Sequence, residues 1–453
     1  MSGGISEFES QLRKDIHQLI SKIVEHREKT YRFVPGETMV RYGGAVYDAE
    51  ELSIMVDAIL DGWFSGGKYT LRFEAEFSRF LGVRKAISVN SGSSANLLAL
   101  ASLFSNQLPE EMRLKPGDEV ITTAMCFPTT LNPLIIYNLK PVLVDVEIGT
   151  YNPNPEIIEK AVSEKTRAIF ITHTLGNPND MKYLMDIAES HNLILLEDAC
   201  DALGSKYNGK YVGTFGHLGT FSFYPPHHIT TGEGGMVVTN DELLGKIVRS
   251  LRDWGRACTI PICDPMRCPD KECPRSLKSD VKNIYGLPED YDKRYTYVNV
   301  GFNLKITEIQ AAMGIAQMKK LSRFIELRKR NFKILYEELS KYDDFFILPE
   351  WHPKSDPSWF AFPLTIRKGA PFNRRKIVDW LLRNRIEAKL LFAGNILKHP
   401  AYKSLNARIY GSLDNTDYIM YNSFFIGVYP GLTEEMLNYV VGKIKEFVSS
   451  YKI

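Results

Sequence analysis

The chain has almost no excess charge: among 453 residues, 56 lysines and arginines face 54 aspartates and glutamates, a formal balance of +2. So neutral a chain offers no broad field for nucleic acid or an anionic membrane surface, and neither is expected as a partner. No apolar run is long enough to span a bilayer. The opening "MSGGISEFESQLRKDIHQLISKIVEHREKT" lacks the apolar core of a signal peptide, which makes the cytoplasm the expected compartment. Cysteine is scarce, six in all, and in a reducing compartment these are not expected to build a disulfide framework.

What is present is a regular rhythm. Ser6 to about Lys29 carries Phe8, Leu12, Ile16, Ile20 and Ile23 at helical spacing, and residues 1–35 read as a helical arm. From Lys85 onward, short apolar runs ("KAISVN", "DEVITTA", "KPVLVDV", "TRAIFITHT", "NLILLEDA", "GTFSFY", "GMVVTN") alternate with helical segments such as "SSANLLALASLFS". That alternation implies an α/β fold with a mainly parallel sheet covered on both faces. The large domain is expected over residues 36–310, with a turn-rich, cysteine-rich insertion near 258–297. A long helix and a smaller α+β lobe fill residues 311–453.

Three stretches carry polar groups where chemistry would need them. In "VNSGSSANLLAL" a strand ends and a helix begins across Gly92 and Ser93, a helix N-terminus suited to a phosphate or, equally, a plain serine cap. In "LILLEDACDALGS", Asp198 closes an apolar strand at the end where open α/β sheets bind ligands. A carboxylate there calls for a cation or several donors; the alternative is a cap for a following helix. "SFYPPHHITTGEGGMVVTN" is a strand, a turn, a glycine-rich bend and a second strand, with His227 and His228 adjacent at the lip.

In this order the three stretches resemble a pyridoxal-phosphate enzyme of fold type I, and within it the sugar aminotransferase family typified by DegT, DnrJ, EryC1 and StrS. In that family a serine is followed five residues later by the lysine that holds the cofactor as a Schiff base. Here Ser222 is in place and the fifth residue on is His227, which cannot form that bond but can act as a base. The replacement, with "CFPTT" and "LLFAGN", is similar to the histidine-containing branch of nucleotide-sugar 3-dehydratases. The resemblance implies pyridoxamine phosphate as cofactor and a nucleotide-linked 4-keto-6-deoxyhexose, closest to the CDP-glucose type, as substrate. It implies that Gly92, Ser93 and Ser222 bind phosphate, that Phe127 stacks on the pyridine ring, and that Asp198 pairs with the ring nitrogen. Asp201 stands near the ring hydroxyl, where most aminotransferases have glutamine. Asn303 of "VGFNLKITEIQAAMG" reaches the phosphate of a neighbouring subunit, which implies a homodimer with shared active sites, and Lys305 replaces the usual arginine. Phe392 and Asn395 fall where the smaller lobe closes over substrate. His228 reads as structural or as a support behind the site residues, and Cys126 as a structural thiol.

The branch finishes its chemistry in two ways, one through glutamate without iron, the other through a [2Fe–2S] cluster fed by a flavin and iron–sulfur reductase. The second group shows C-x57-C-x-C-x7-C. Here residues 201–257, 57 in number, separate Cys200 from Cys258, and Cys268 falls at the fourth place. Ile260 occupies the third, so Cys263 or Cys273 is left to complete four thiolates. A [2Fe–2S] cluster on Cys200, Cys258, Cys263 and Cys268 is the expectation, with structural zinc or free thiols as alternatives.

Overall fold

The computed structural model describes residues 6–260, 286–288 and 291–451. Eight strands form one sheet, in the spatial order Lys85–Val89, Gly235–Thr239, Leu218–Ser222, Ile194–Asp198, Thr166–Thr172, Glu119–Thr123, Lys140–Val144 and Arg408–Ile409. Gly235–Thr239 alone runs against its two neighbours; the remaining pairs are parallel. The strands carry nearly continuous apolar runs because both faces are covered. On one face Phe73 and Phe77, from helix Lys68–Leu81, pack edge-on against Phe221 and Phe223 at ring distances of 5.3–5.5 Å. On the other, Leu98 and Ala99 of helix Gly92–Ser102 pack with Val237, Val248 and Phe170. The sheet and its covering helices make a large α/β domain, and a smaller α+β domain follows it.

Helix Glu308–Leu339 links the two. Thr307 and Gln310 form a capping box at its start. Glu308 is buried and accepts from the amides of Gly67 (2.9 Å), Tyr69 (2.9 Å) and Thr70 (3.0 Å), which satisfies the open end of helix Lys68–Leu81. The small domain holds an antiparallel sheet of Phe346–Ile347, Ala361–Ile366 and Ser423–Gly427. Phe332 and Trp359 stack at 4.6 Å in its core. One departure from the sequence reading is that Arg408–Ile409, from the C-terminal part, adds an edge strand to the large sheet. Two residues are too short for an apolar run to reveal them.

The N-terminal helix Glu7–Thr30 buries no residue. It rests on helix Ala49–Leu60 and its C-cap through Arg13, which bridges Asp57 (3.4 Å) and Asp61 (3.1 Å), and His17, 3.2 Å from Asp57. The two ends of the cysteine-rich insertion meet: Arg256 bridges Tyr297, and the Ala257 amide donates to the Thr296 carbonyl at 2.8 Å. Cys263, Cys268 and Cys273 lie outside the described residues. Among the described residues no helix is long and apolar enough to cross a membrane.

Candidate active site

The carboxyl ends of the parallel strands open into one cleft of about 390 Å³. The chain leaves the strand Lys85–Val89 and turns into helix Gly92–Ser102, whose cap Ser91 accepts from the Ser94 amide at 3.0 Å. The amides of Gly92 and Ser93 are left directed out of the helix end, toward where an anion would sit. A Cβ on Gly92 would lie 2.5 Å from Ser222 Cβ and 3.1 Å from Cys200 Sγ, so only glycine lets these segments meet. The Ser93 hydroxyl donates to Thr129 Oγ1 at 3.2 Å. Gly92, Ser93 and Ser222 therefore share one rim of the cleft.

Asp198 ends its strand inside the cleft, 3% exposed. No helix follows it, so the capping alternative falls away. Its Oδ2 accepts from Asn96 Nδ2 (2.8 Å) and Thr130 Oγ1 (2.7 Å), and its Oδ1 from the Cys200 amide at 3.2 Å. Asn96 is itself held, since its Oδ1 accepts from Thr220 Oγ1 at 2.6 Å. Sequence reasoning missed Asn96 and Thr130. Asn96 stands one helical turn after Gly92, and that spacing was a usable signal.

His227 and Asp201 face each other across 3.6 Å, Nδ1 to Oδ1. His227 Nδ1 is buried and, among the described residues, has no hydrogen-bond partner. Burial first, and then the Arg328 guanidinium, hold the imidazole down to about 3, so the ring is neutral. Burial and the Asp198 carboxylate push the Asp201 carboxyl up to about 8. The ring of Phe360 lies 5.2 Å from that of His227. His228 is buried and its Nε2 pairs with the Ser358 carbonyl at 2.8 Å.

Phe127 lies on the cleft wall, half exposed, with Phe392 edge-on at 6.2 Å. Cys200 also lines the cleft, its thiol pushed well up by burial, whereas buried Cys126, pushed up to about 12, packs at its base. Cys258 sits at the stem of the insertion, away from the cleft lining. Among the described residues no three histidine, cysteine or acidic side chains form a metal-binding group. Asn395 caps a short turn, donating to Asp417 at 2.7 Å and accepting from the Leu397 amide at 3.1 Å. Asn303 is not part of this cleft; its Oδ1 accepts from Lys305 Nζ at 2.6 Å, and that ammonium lies 3.3 Å over the Trp254 ring. The cleft lining includes Asp198, Asp201 and Glu233 and, among the described residues, no lysine or arginine.

These groups fit a phosphorylated pyridine. A cradle that a single Cβ would fill offers amides and hydroxyls to a phosphate, the buried Asp198 carboxylate could hold a protonated ring nitrogen, and Phe127 offers an aromatic face. Fold and cleft together define a pyridoxal-phosphate-type protein of fold type I. The chain belongs to the DegT/DnrJ/EryC1/StrS aminotransferase family, whose model matches residues 46–260 and 276–445.

Relatives narrow the neighbourhood. The chain is 48% identical to the lipopolysaccharide biosynthesis protein RfbH of Salmonella typhimurium, across 97% of this chain and 98% of that protein. It is 49% identical to the dTDP-4-dehydro-2,6-dideoxy-D-glucose 3-dehydratase of Saccharopolyspora spinosa, across 94% and 90%. Among solved structures, GDP-4-keto-6-deoxymannose-3-dehydratase with a trapped PLP–glutamate geminal diamine superposes with a TM-score of 0.79 at 31% identity, covering 89% of this chain and 99% of that one.

Proposed function

We propose that the protein is a pyridoxamine-phosphate-dependent 3-dehydratase of a nucleotide-linked 4-keto-6-deoxyhexose, acting in dideoxysugar biosynthesis in the cytoplasm. The observation that carries this is His227: a neutral, cleft-lining imidazole, with an unpaired buried Nδ1, where an aminotransferase of this family needs lysine. The 3-dehydratases at 49% and 35% identity support the reaction class. CDP-4-keto-6-deoxyglucose is the substrate we would try first.

When bound, pyridoxamine phosphate supplies an amine for the sugar's C4 ketone and a ring that takes up electrons. Gly92, Ser93 and Ser222 would bind its phosphate, Phe127 would face the ring, Asp198 would hold the ring nitrogen protonated, and Asp201 would lie beside the ring hydroxyl. With the cofactor bound, His227 would be the group that accepts a proton from its C4′ carbon, and the sugar's C3 oxygen would leave as water with a proton from an acid. A homodimer in which Asn303 of one copy enters the cleft of the other is part of this reading, and its support is the family to which the chain belongs.

A [2Fe–2S] cluster on Cys200, Cys258, Cys263 and Cys268, reduced by a flavin and iron–sulfur partner, is the finer reading. Its support is the 57-residue spacing from Cys200 to Cys258 and the place of Cys200 on the cleft wall. The iron-free, glutamate-dependent route is the second reading, favoured by likeness to the structure that traps PLP with glutamate.

The test is to incubate the protein with pyridoxamine phosphate and CDP-4-keto-6-deoxyglucose, with chemical reductant or with glutamate, and follow the sugar by mass spectrometry. Loss of the C3 oxygen, abolished in His227→Asn, supports the reaction; transfer of an amine to C4 would return the protein to the aminotransferases. A reduced [2Fe–2S] paramagnetic signal with matching iron and sulfide decides for the electron relay. Turnover with glutamate and no iron decides for the other route.

A further inference from the structure

Arg328 is fully buried, at 0% exposure, in the middle of helix Glu308–Leu339. Burying a guanidinium is costly unless its N–H groups are met. Among the described residues its hydrogen-bond acceptors are four main-chain carbonyls, all on Nη1 and Nη2, while Nε has no partner. Nη2 donates to Pro226 and to His227, both at 2.8 Å; Nη1 donates to Phe360 at 2.9 Å and to Trp359 at 3.4 Å.

The two pairs belong to different parts of the molecule. Pro226 and His227 sit in the turn that follows the strand Leu218–Ser222 of the large sheet. Trp359 and Phe360 lead into the strand Ala361–Ile366 of the small one. Outside the Arg328 fork, the His227 amide donates to the Tyr224 carbonyl at 2.9 Å and the neighbouring His228 Nε2 pairs with the Ser358 carbonyl at 2.8 Å, while among the described residues the His227 side chain's Nδ1 has no hydrogen-bond partner. Phe360, gripped by the same guanidinium, lays its ring 5.2 Å from the His227 ring at an interplanar angle of 45°. Both the backbone that carries the imidazole and the ring beside it are thus referred to one planar group.

We propose that Arg328 is a positioning residue, whose guanidinium fork fixes where the His227 imidazole stands in the cleft. The inference rests on His227 being the base of the proposed reaction. Lysine at position 328 would keep the charge but not the fork, because an ammonium is a point charge without fixed donor geometry.

The experiment uses the full chain in two backgrounds. In the otherwise unchanged holoenzyme, Arg328→Lys should lower kcat by about 100-fold, the order expected for an ångström-scale misplacement. KM should stay within about twofold, as for a group that acts after substrate is bound. In the His227→Lys background, Arg328→Lys should slow covalent attachment of pyridoxal phosphate by about tenfold while leaving its reversible binding unchanged. A folded Arg328→Lys protein that merely melts earlier, with kcat and attachment rate intact, overturns the proposal.

If the variant does not fold, a crystal structure of the unmodified holoprotein decides. The Pro226 and His227 carbonyls should remain on Arg328 with the imidazole facing the cofactor; carbonyls turned away from Arg328 overturn it. Should His227→Asn leave turnover intact, the base reading fails by itself, and the attachment rate in the His227→Lys background still judges Arg328.

Discussion

His227 Nδ1 stands 3.6 Å from Asp201 Oδ1, and the two side chains are pushed off their ordinary pKa values in opposite senses. Asp201 is raised from 3.8 to about 8, so between those values the folded chain keeps a proton that the unfolded chain has lost. Its contribution to stability is complete below pH 3.8 and gone above about 8. His227 is lowered from 6.5 to about 3, so its contribution is complete above pH 6.5 and lost as pH falls through that range. Between pH 3.8 and 6.5 the two slopes cancel. From 6.5 to about 8 Asp201 acts alone, and the cofactor-free protein should lose about 1.4 kcal/mol of stability per pH unit from this group. Urea unfolding across that window should show the fall, and Asp201→Asn should remove it. An unchanged slope in the variant would mean that Asp201 is already ionised at neutral pH.

The same place in the cleft makes His227→Lys informative. The Arg328 fork grips the main-chain carbonyl of residue 227, not its side chain, so the turn should survive the substitution. A lysine there should form a covalent bond with pyridoxal phosphate. Borohydride reduction followed by mass spectrometry should find the cofactor fixed to residue 227, while the unmodified protein releases it on gel filtration. A folded variant that binds the cofactor without fixing it would show that this turn does not face the cofactor's reactive carbon.

The parts of the site legible in the sequence are those whose partners are close along the chain. Ser222 and His227 belong to one strand–turn unit, Gly92 and Ser93 to one strand–helix junction, and Asp198 to a strand end. The fold was legible for the same reason, since apolar runs and helical spacing are local patterns. What escaped depends on crossing the sheet. Asn96 reaches Asp198 over 102 positions, and Arg328 reaches the His227 carbonyl over 101. A buried arginine in a long amphipathic helix has no sequence mark to tell it from its surface neighbours. The strand Arg408–Ile409 was missed because two residues make no pattern.

Gly92→Ala should test the phosphate rim. The added Cβ would meet Ser222 Cβ at 2.5 Å and Ser222 Oγ at 2.9 Å, and the atoms it meets sit on a buried strand end. Overpacking of that kind costs about 1–3 kcal/mol. If the strand holds its place, the helix end must move, and its amides move with it. Affinity for pyridoxamine phosphate should fall by on the order of tenfold or more, equivalent to about 1.4 kcal/mol. Affinity for unphosphorylated pyridoxamine should change less, and fluorescence titration with both ligands makes the comparison. Equal losses for the two would place the phosphate elsewhere.

Asn96 offers a sharper question about Asp198, because it contributes one of the two side-chain donors on Oδ2. Asn96→Ala removes that donor and also takes from the Thr220 hydroxyl its acceptor at 2.6 Å, leaving the Glu197 carbonyl at 3.4 Å. Leaving buried polar groups unmet costs about 1–3 kcal/mol each, so the variant should melt earlier. Asn96→Asp has nearly the same shape but sets a second carboxyl against Asp198, and like charges that close cannot both ionise at no cost. One proton should then be shared between them, and the grip on a protonated pyridine nitrogen should weaken. Affinity of Asn96→Asp for pyridoxamine phosphate should therefore fall further than that of Asn96→Ala. If the two variants bind the cofactor equally well, the ring nitrogen does not depend on the charge of Asp198.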